Sequence, residues 1–205
     1  YYEELRNADD PFAYGISPGA AQPGTVTRLV RRRWLDNDFY GATWSLQYEK
    51  DKFSSIFGGG VNRYAGDHFG RVVESEFALS AFPKNYYFNN GDKRDLSLYW
   101  KNGYDLTRAL HLFADLQYRG IGYTAAGTEN AQEAFSLSER YNFFNPKAGL
   151  TWQVTNGYQV YGSVAIANRE PVREDLVNAG AGSKPLPERL YDVEAGIRRR
   201  GRQSP

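Results

Sequence analysis

Side-chain polarity alternates with a period of two residues over most of this chain, and that pattern decides its fold class. From Tyr40 to Glu49 every even position is apolar or aromatic, apart from small Ala42, and every odd position is small or polar. Successive side chains of a β-strand point to opposite faces, so this period is typical of a strand with one apolar and one polar face. The chain is therefore predicted to be all-β.

The same alternation recurs along the sequence and predicts seven strands, with residues 26–34 as a candidate eighth. The seven lie near residues 40–49, 53–64, 95–105, 110–119, 147–154, 158–166 and 191–198. Two features depart from the pattern. Phe113 falls on the polar face of its strand, and three glycines, Gly58 to Gly60, interrupt another strand, where glycine indicates a bend or a close contact.

Short and long connections between these strands alternate without exception. Tight turns are predicted at 51–52, 107–109 and 155–157, the last with an Asn-Gly pair that supplies positive φ. Long connections are predicted at 65–93, 124–145 and 168–189. All long connections therefore fall at one end of the predicted sheet, as the extracellular loops of outer-membrane barrels do, and all short turns at the other, as periplasmic turns do.

Strand length and the placement of aromatic residues favour a membrane-spanning sheet. Several predicted strands exceed the ~5–6 residues of an average strand and reach the ~9–11 residues that cross a bilayer. Aromatic residues such as Tyr40, Tyr48 and Trp152 lie near the strand ends of the apolar face, as in the girdles of outer-membrane barrels. The prediction is part of an antiparallel transmembrane β-barrel, with the apolar face toward lipid and the polar face toward a wet lumen.

Composition excludes several other classes of protein. The 25 Lys and Arg nearly balance the 24 Asp and Glu, which argues against a nucleic-acid-binding protein, and the absence of Cys excludes disulfides and thiolate metal sites. The two histidines, His68 and His111, lie in no recognisable nucleophile motif, so no enzyme activity, metal or cofactor is predicted. Because the chain begins at Tyr1 and contains no Met, we expect an internal piece of a longer protein.

Three segments resemble TonB-dependent outer-membrane receptors, particularly those of Bacteroidetes-type bacteria. They run from Arg33 to Gly41 (RWLDNDFYG), from Asn62 to Gly70 (NRYAGDHFG) and from Asn168 to Leu176 (NREPVREDL). The first four residues, YYEE, also look like the end of an upward strand in such receptors.

The resemblance implies a 22-stranded barrel in the cell outer membrane, plugged by an N-terminal domain. Residues 1–205 would form part of that barrel domain, roughly a third of it, and the plug would lie outside this sequence. The implied function is import of a scarce nutrient such as a ferric siderophore or similar metal chelate, haem or cobalamin. The implied partners are TonB with its inner-membrane energising complex, acting through the plug, and outer-membrane lipid with lipopolysaccharide.

Candidate binding residues lie in and beside the long connections, because binding residues concentrate on loops held by a rigid scaffold. Aromatic and arginine side chains supply contact area and bidentate recognition of anionic ligands. The candidates are Arg63, Asp67, His68, Phe69, Tyr86, Tyr87, Arg169, Glu170 and Arg173.

Each candidate group also has a plainer explanation. His68 is also expected in a solvated loop. Tyr86 and Tyr87 could form a hydrophobic cluster that packs their long loop onto itself. The charged residues after Ala167 could form a network that braces the loop 168–189. The run Arg31 to Arg33 could grip anionic lipopolysaccharide or substrate, or lie at a solvated strand edge.

Two alternative functions share much of this pattern. A passive porin or adhesin barrel has every feature listed above except the resemblance. A soluble ligand-binding β-barrel requires the face that carries Leu96, Leu112, Leu150 and Val160 to point inward, so burial of that face separates it from a membrane barrel.

Overall fold

A computed structural model describes residues 2–8, 12–17, 19–22, 25–79, 85–129, 134–155, 157–179 and 183–199. Eight strands form one sheet in sequential order: β1 (Tyr2–Ala8), β2 (Thr27–Lys50), β3 (Phe53–Ser75), β4 (Tyr87–Asp105), β5 (Leu110–Thr128), β6 (Ala134–Thr155), β7 (Tyr158–Arg169) and β8 (Glu188–Arg199). A 3₁₀ turn spans Phe12–Tyr14, and helix α1 spans Arg173–Asn178. The all-β prediction is confirmed. In the parts of the chain just given, no helix has the length and apolar character to cross a membrane.

The pairing of β7 with β8 shows how the alternation in sequence becomes two faces. The two strands are antiparallel, and Val160, Val164 and Ile166 lie opposite Ile197, Val193 and Tyr191. Directly opposite residues share a face, so the apolar positions of both strands form one continuous surface. We call this side of the sheet the apolar face and the other side the polar face.

The strands are longer than predicted, and the long connections are correspondingly shorter. β2 has 24 residues, which joins the predicted strand at 40–49 to the candidate strand at 26–34, and the additional strand is β1 instead. Of the predicted connection 65–93, residues 65–75 belong to β3 and residues 87–93 to β4. The predicted connections 124–145 and 168–189 are shortened in the same way. Their ends belong to β5, β6, β7 and β8, so the connections that remain are 129–133 and 170–187.

The physical reason is that alternation reports a difference between the two faces, whereas the strand itself is held by backbone hydrogen bonds. Where both faces are polar or mixed, as from Arg63 onward in β3, the pattern fades although the strand continues. Short connections lie between β2 and β3, β4 and β5, and β6 and β7, in agreement with the turns predicted at 51–52, 107–109 and 155–157; residue 156 lies outside the described residues.

The apolar face is exposed along the sheet. Leu46 is 67% exposed and Val193 78% exposed, and the indole rings of Trp44, Trp100 and Trp152 are about half exposed. Leu96 and Leu150 are also exposed, while Leu112 and Val160 are half-buried. A soluble barrel would bury this face, so the soluble alternative does not fit the structure.

Aromatic rings on the polar face lie over glycines of neighbouring strands. A methyl group added at Gly149 would lie 2.6 Å from the ring of Phe113, and one at Gly58 would lie 2.5 Å from the hydroxyl of Tyr99. Tyr161 covers Gly196 in the same way. The two departures from the sequence pattern therefore have one cause, since Phe113 occupies the space above one glycine and the glycine run leaves room for Tyr99.

The chain divides into two compact units, which are described separately below. The first comprises residues 1–40, 63–94 and 123–139, and its buried core joins Leu29, Val72, Tyr86 and Tyr87 with partly buried Tyr14 and Leu79. The second comprises residues 41–62, 95–122 and 140–205, with a smaller core of Ile121, Tyr141 and Phe143.

Candidate functional site

In the first unit, a tyrosine, a histidine and an asparagine form a hydrogen-bonded cluster on the polar face. The Tyr64 hydroxyl donates to Asn37 Oδ1 at 2.7 Å and lies 2.9 Å from His68 Nε2. Because the Tyr64 hydroxyl hydrogen is directed at Asn37, the phenol oxygen acts as an acceptor toward His68, and the Nε2–H of His68 donates to it. Gly66 lies between the two side chains, and a Cβ there would collide with Tyr64 and Asn37. The cluster places hydrogen-bond donors and acceptors on the polar face of the sheet.

The predicted Asp67-His68-Phe69 corner is a stretch of strand β3 rather than a loop. Alternation places His68 on the polar face and its two neighbours on the apolar face. Asp67 is exposed and makes no hydrogen bond or ion pair with the residues that the structure describes. The three residues therefore do not converge, and within the described ranges no group of three or more His, Asp and Glu side chains could hold a metal ion.

Phe69 belongs to an aromatic row on the apolar-face side of the first unit. Its ring stacks on Trp34, with centroids 5.3 Å apart, and on Phe88, with centroids 6.4 Å apart. The Arg71 guanidinium lies 5.6 Å from the Phe69 centroid and 5.7 Å from that of Trp34. Phe69 is thus part of a cross-strand cation–π stack, which also explains why it is only half-exposed.

Tyr86 and Tyr87 are buried in the core of the first unit. Their rings pack edge to face at 5.0 Å, over Gly70, and Tyr14 and Arg33 contact the rings from further sides. Tyr86 is only 3% exposed, and this burial raises the pKa of its hydroxyl to about 12. A ligand would reach these rings only if the cluster opened, so the packing role is the one visible in this conformation.

Arg63 lies on the apolar-face side, opposite to His68. Its Nε donates to Asp92 at 2.6 Å, a second nitrogen pairs with the same carboxylate, and Nη1 donates to the Tyr40 hydroxyl at 3.1 Å. Asp92 also accepts from Arg94 Nε at 3.2 Å. Arg63 and His68 therefore do not contribute to one site.

In the second unit, Arg119 joins two strands to the start of the 170–187 connection. Its guanidinium donates to Asp95 at 2.5 and 2.8 Å and to Glu170 at 3.0 and 3.3 Å. The side chains of Asp95 and Glu170 are only 10% and 13% exposed. Arg169 pairs with Glu188 at 3.1 Å across the base of the same connection, and Arg173 begins α1.

Sequence reasoning missed Asn37, Tyr64 and the roles of Asp95 and Arg119. All four residue types were visible, and alternation assigned the last two to the polar face. The signal that was missing is strand register, because a cross-strand pair depends on the offset between strands and not on spacing within one.

The sheet defines a class of protein: its exposed apolar face, polar opposite face and alternation of tight turns with longer connections are those of an outer-membrane β-barrel wall. The sequence model of the family described as TonB dependent receptor-like, beta-barrel, matches residues 1–204. The chain belongs to this family.

Solved structures agree with this assignment at the level of the fold. The closed form of the ferric-catecholate import receptor Fiu from E. coli K12 matches 95% of the chain at 13% identity, with a TM-score of 0.61. The siderophore receptor PiuA from Acinetobacter baumannii matches 84% at 13% identity and a TM-score of 0.56. The ferric yersiniabactin uptake receptor FyuA from Yersinia pestis matches 88% at 12% identity and a TM-score of 0.54.

The chain spans only part of these receptors, namely 34% of Fiu, 30% of PiuA and 28% of FyuA. None of the curated proteins matches it.

Proposed function

We propose that this protein imports a ferric siderophore or a similar metal chelate across the outer membrane, as part of a TonB-dependent receptor. The observation that carries the proposal is the two-faced sheet, within a family match that spans nearly the whole chain. An apolar outer face anchors such a wall in lipid, while a polar inner face lines the path of a hydrophilic cargo. Fiu, PiuA and FyuA, which share this fold, are described as receptors for ferric or siderophore ligands.

Ligand contact in this proposal falls to the polar face and to the 170–187 connection. The Asn37, Tyr64 and His68 cluster presents hydroxyl, amide and imidazole groups that can exchange hydrogen bonds with the oxygen atoms of a chelate. Arg169, the last residue of β7, and Arg173, at the start of α1, are cations beside and within this connection that suit an anionic group. Energy would come from TonB and its inner-membrane complex through a plug domain, as in the family.

A strain in which the gene is deleted provides the test. We expect uptake of radiolabelled iron, supplied as a ferric catecholate under iron limitation, to fall on deletion and to return with the intact gene. The return should require TonB. Uptake that persists without TonB would instead support the passive porin alternative, and uptake unaffected by the deletion would contradict the proposed cargo.

The polar-face cluster is tested in the same strain with Tyr64→Phe and His68→Ala. Both variants remove hydrogen bonds of about 0.5–1.5 kcal/mol each, so uptake at low ligand concentration should fall severalfold. The control is Asp38→Asn, beside Asn37 in β2 but on the other face. Equal uptake by all three variants would remove the cluster from the ligand path.

A further inference from the structure

The strands β6 and β7 separate on the side of the longer connections. Their backbones pair up to Lys147, and the next residue of β6, Pro146, has no N–H to donate. Beyond it, asparagine side chains replace the ladder bonds. The backbone N–H of Asn168 donates to Asn145 Oδ1 at 2.9 Å, and Asn168 Nδ2 donates to the backbone oxygen of Phe144 at 3.2 Å. The two backbones therefore part at this level.

The separation gives β6 an edge that extends past the end of β7. Successive residues of a strand direct their backbone groups to opposite neighbours, and the oxygen of Phe144 faces β7. The N–H and C=O groups of Asn142 and Arg140 therefore face the same side. The same register, continued, would place Arg169, the last residue of β7, opposite Phe143. We call the stretch of Arg140 and Asn142, which lies beyond that point, the β6 edge.

The connection that follows β7 turns away from the β6 edge. Directly after β7, the carboxylate of Glu170 accepts from Arg119 of β5 at 3.0 Å on the polar face. The described residues of this connection, 170–179 and 183–187, contain helix α1 and neither strand nor β-bridge. Near its end, Pro185 and Pro187 have no N–H for a ladder. In the part of the chain that the structure describes, the connection therefore adds no strand to the β6 edge.

The β6 edge also lies outside the apolar band of its strand. Leu150 and Trp152 carry the apolar face of β6, whereas Asn142 and Arg140 are exposed polar residues on the same side. An open backbone edge is not tolerated in hydrocarbon, but in water it is a template for pairing with another chain. The longer connections of outer-membrane barrels face the cell exterior, so this edge is open to extracellular proteins.

Arg140 adds a positive charge to the edge. Its side chain is exposed and forms no ion pair with any residue that the structure describes. The neighbouring Asn142 is neutral, and its Oδ1 accepts from the Tyr118 hydroxyl at 2.7 Å. Oppositely charged side chains directly across two strands attract each other. The backbone groups thus suit an extended polypeptide, and the guanidinium suits an acidic side chain within it.

We propose that the β6 edge binds an extended, acidic segment of a partner protein outside the cell, which adds to the sheet as an antiparallel strand. Main-chain hydrogen bonds supply the affinity of such strand addition, and side chains supply the specificity, here through Arg140. The added strand occupies the position that a longer β7 would have. Pro146 and the two asparagines then have a function, because they end the β6–β7 ladder and leave that position open.

The first test uses the receptor at the full length that its gene encodes, in detergent, with a labelled synthetic peptide of alternating threonine and valine and one central aspartate. Fluorescence anisotropy measures binding. The aspartate lies opposite Arg140, so its amide and every second amide from it face β6. We expect N-methylation of these amides to weaken binding by about tenfold or more, because several hydrogen bonds are lost. Methylation of the intervening amides is the control and should change binding little.

A charge exchange tests the role of Arg140. Arg140→Glu should bind the aspartate peptide about two- to fivefold more weakly than the wild type, and should prefer the same peptide with lysine in place of aspartate. Lys147→Glu is the matched control, since it makes the same change of charge in the same strand but on the polar face and within the ladder. It should bind the aspartate peptide as the wild type does.

Several results would overturn the proposal. They are absence of binding by the wild type, equal binding of the two methylated peptides, and equal loss in Arg140→Glu and Lys147→Glu. Dimers of the receptor that depend on Arg140, detected by light scattering in place of peptide binding, would assign the edge to a second copy and overturn it as well.

Discussion

The space above each strand glycine limits which side chains the sheet accepts. The ring of Phe113 lies over Gly149. A Cβ at this position would also lie 2.5 Å from the backbone oxygen of Gly162, which cannot change rotamer as a side chain can. We expect Gly149→Ala to lower the free energy of unfolding by about 1–3 kcal/mol, as overpacking does. Denaturant unfolding followed by tryptophan fluorescence measures this.

Gly122 of β5 supplies the control for that substitution. A Cβ at this position meets nothing within 4 Å, so Gly122→Ala should leave stability within about 0.5 kcal/mol of the wild type or raise it slightly. If both alanine variants unfold at the same denaturant concentration, the ring over Gly149 does not constrain the strand.

For single residues, the sequence predicted the face of the sheet that a side chain occupies better than it predicted the partners that the side chain contacts. Alternation assigned Asp95 and Arg119 to the polar face, where the structure has them paired. It could not place Arg63 and His68 on opposite faces, because His68 was assigned to the connection 65–93, where no alternation is expected, and Arg63 to the end of the strand 53–64, just before it. Nor could it reveal that Tyr86 is core, since burial of a loop tyrosine depends on distant partners such as Tyr14.

Among the elements, the 170–187 connection depends most on a single side chain. Arg119→Leu would leave the largely buried carboxylates of Asp95 and Glu170 without their shared cation. We expect the connection to open more often and chymotrypsin cleavage after Leu176 or Leu186 to speed up about tenfold or more, since a hydrogen bond to a charged group contributes about 1.5–3 kcal/mol and proteolysis follows local opening.

Arg169→Gln is the comparison for the Arg119 variant. Its ion pair with Glu188 is exposed on both sides, and such pairs contribute about 0–1 kcal/mol. Cleavage should therefore change little. A faster cut in Arg169→Gln than in Arg119→Leu would show that the base of the connection, and not Arg119, holds it in place.

Strand identity was predictable from sequence, but strand length was not. The pattern identified every strand of the sheet that has an apolar side. It failed for β1 and for the distal parts of β3 and β4, and it gave the distal part of β2, residues 26–34, only as a separate candidate strand. Those parts carry charged or polar residues on both sides, for example around Arg32 and Asn89. Their backbones still pair, because hydrogen bonding along a ladder does not require a difference in polarity between the faces.

For the molecule as a whole, contact of the apolar face with lipid is the property to measure. Trp44, Trp100 and Trp152 are 47–50% exposed on that face. In vesicles of lipids brominated on their acyl chains, single-tryptophan variants that keep one of these residues should be strongly quenched. A variant that keeps only Trp34, which lies beneath the Arg71 guanidinium, should be quenched much less.

Similar quenching of all four variants, or none of any, would contradict the assignment of lipid-facing positions. The barrel class itself was predictable from alternation, turn lengths and girdles. The identity of a ligand was not, because ligand binding depends on side chains brought together from several strands and on parts that the chain, at 28–34% of the length of Fiu, PiuA and FyuA, does not span.

The continuation of β3 to Ser75 and the start of β4 at Tyr87 limit how such a receptor can diversify. A single inserted residue within a paired strand reverses the face of every side chain beyond it. Insertions and deletions among descendants of this gene should therefore accumulate in 76–86, 129–133 and 170–187, while the strands change by substitution alone. A shift to a new cargo could then begin with a change in loop length, without disturbing the wall that holds the protein in its membrane.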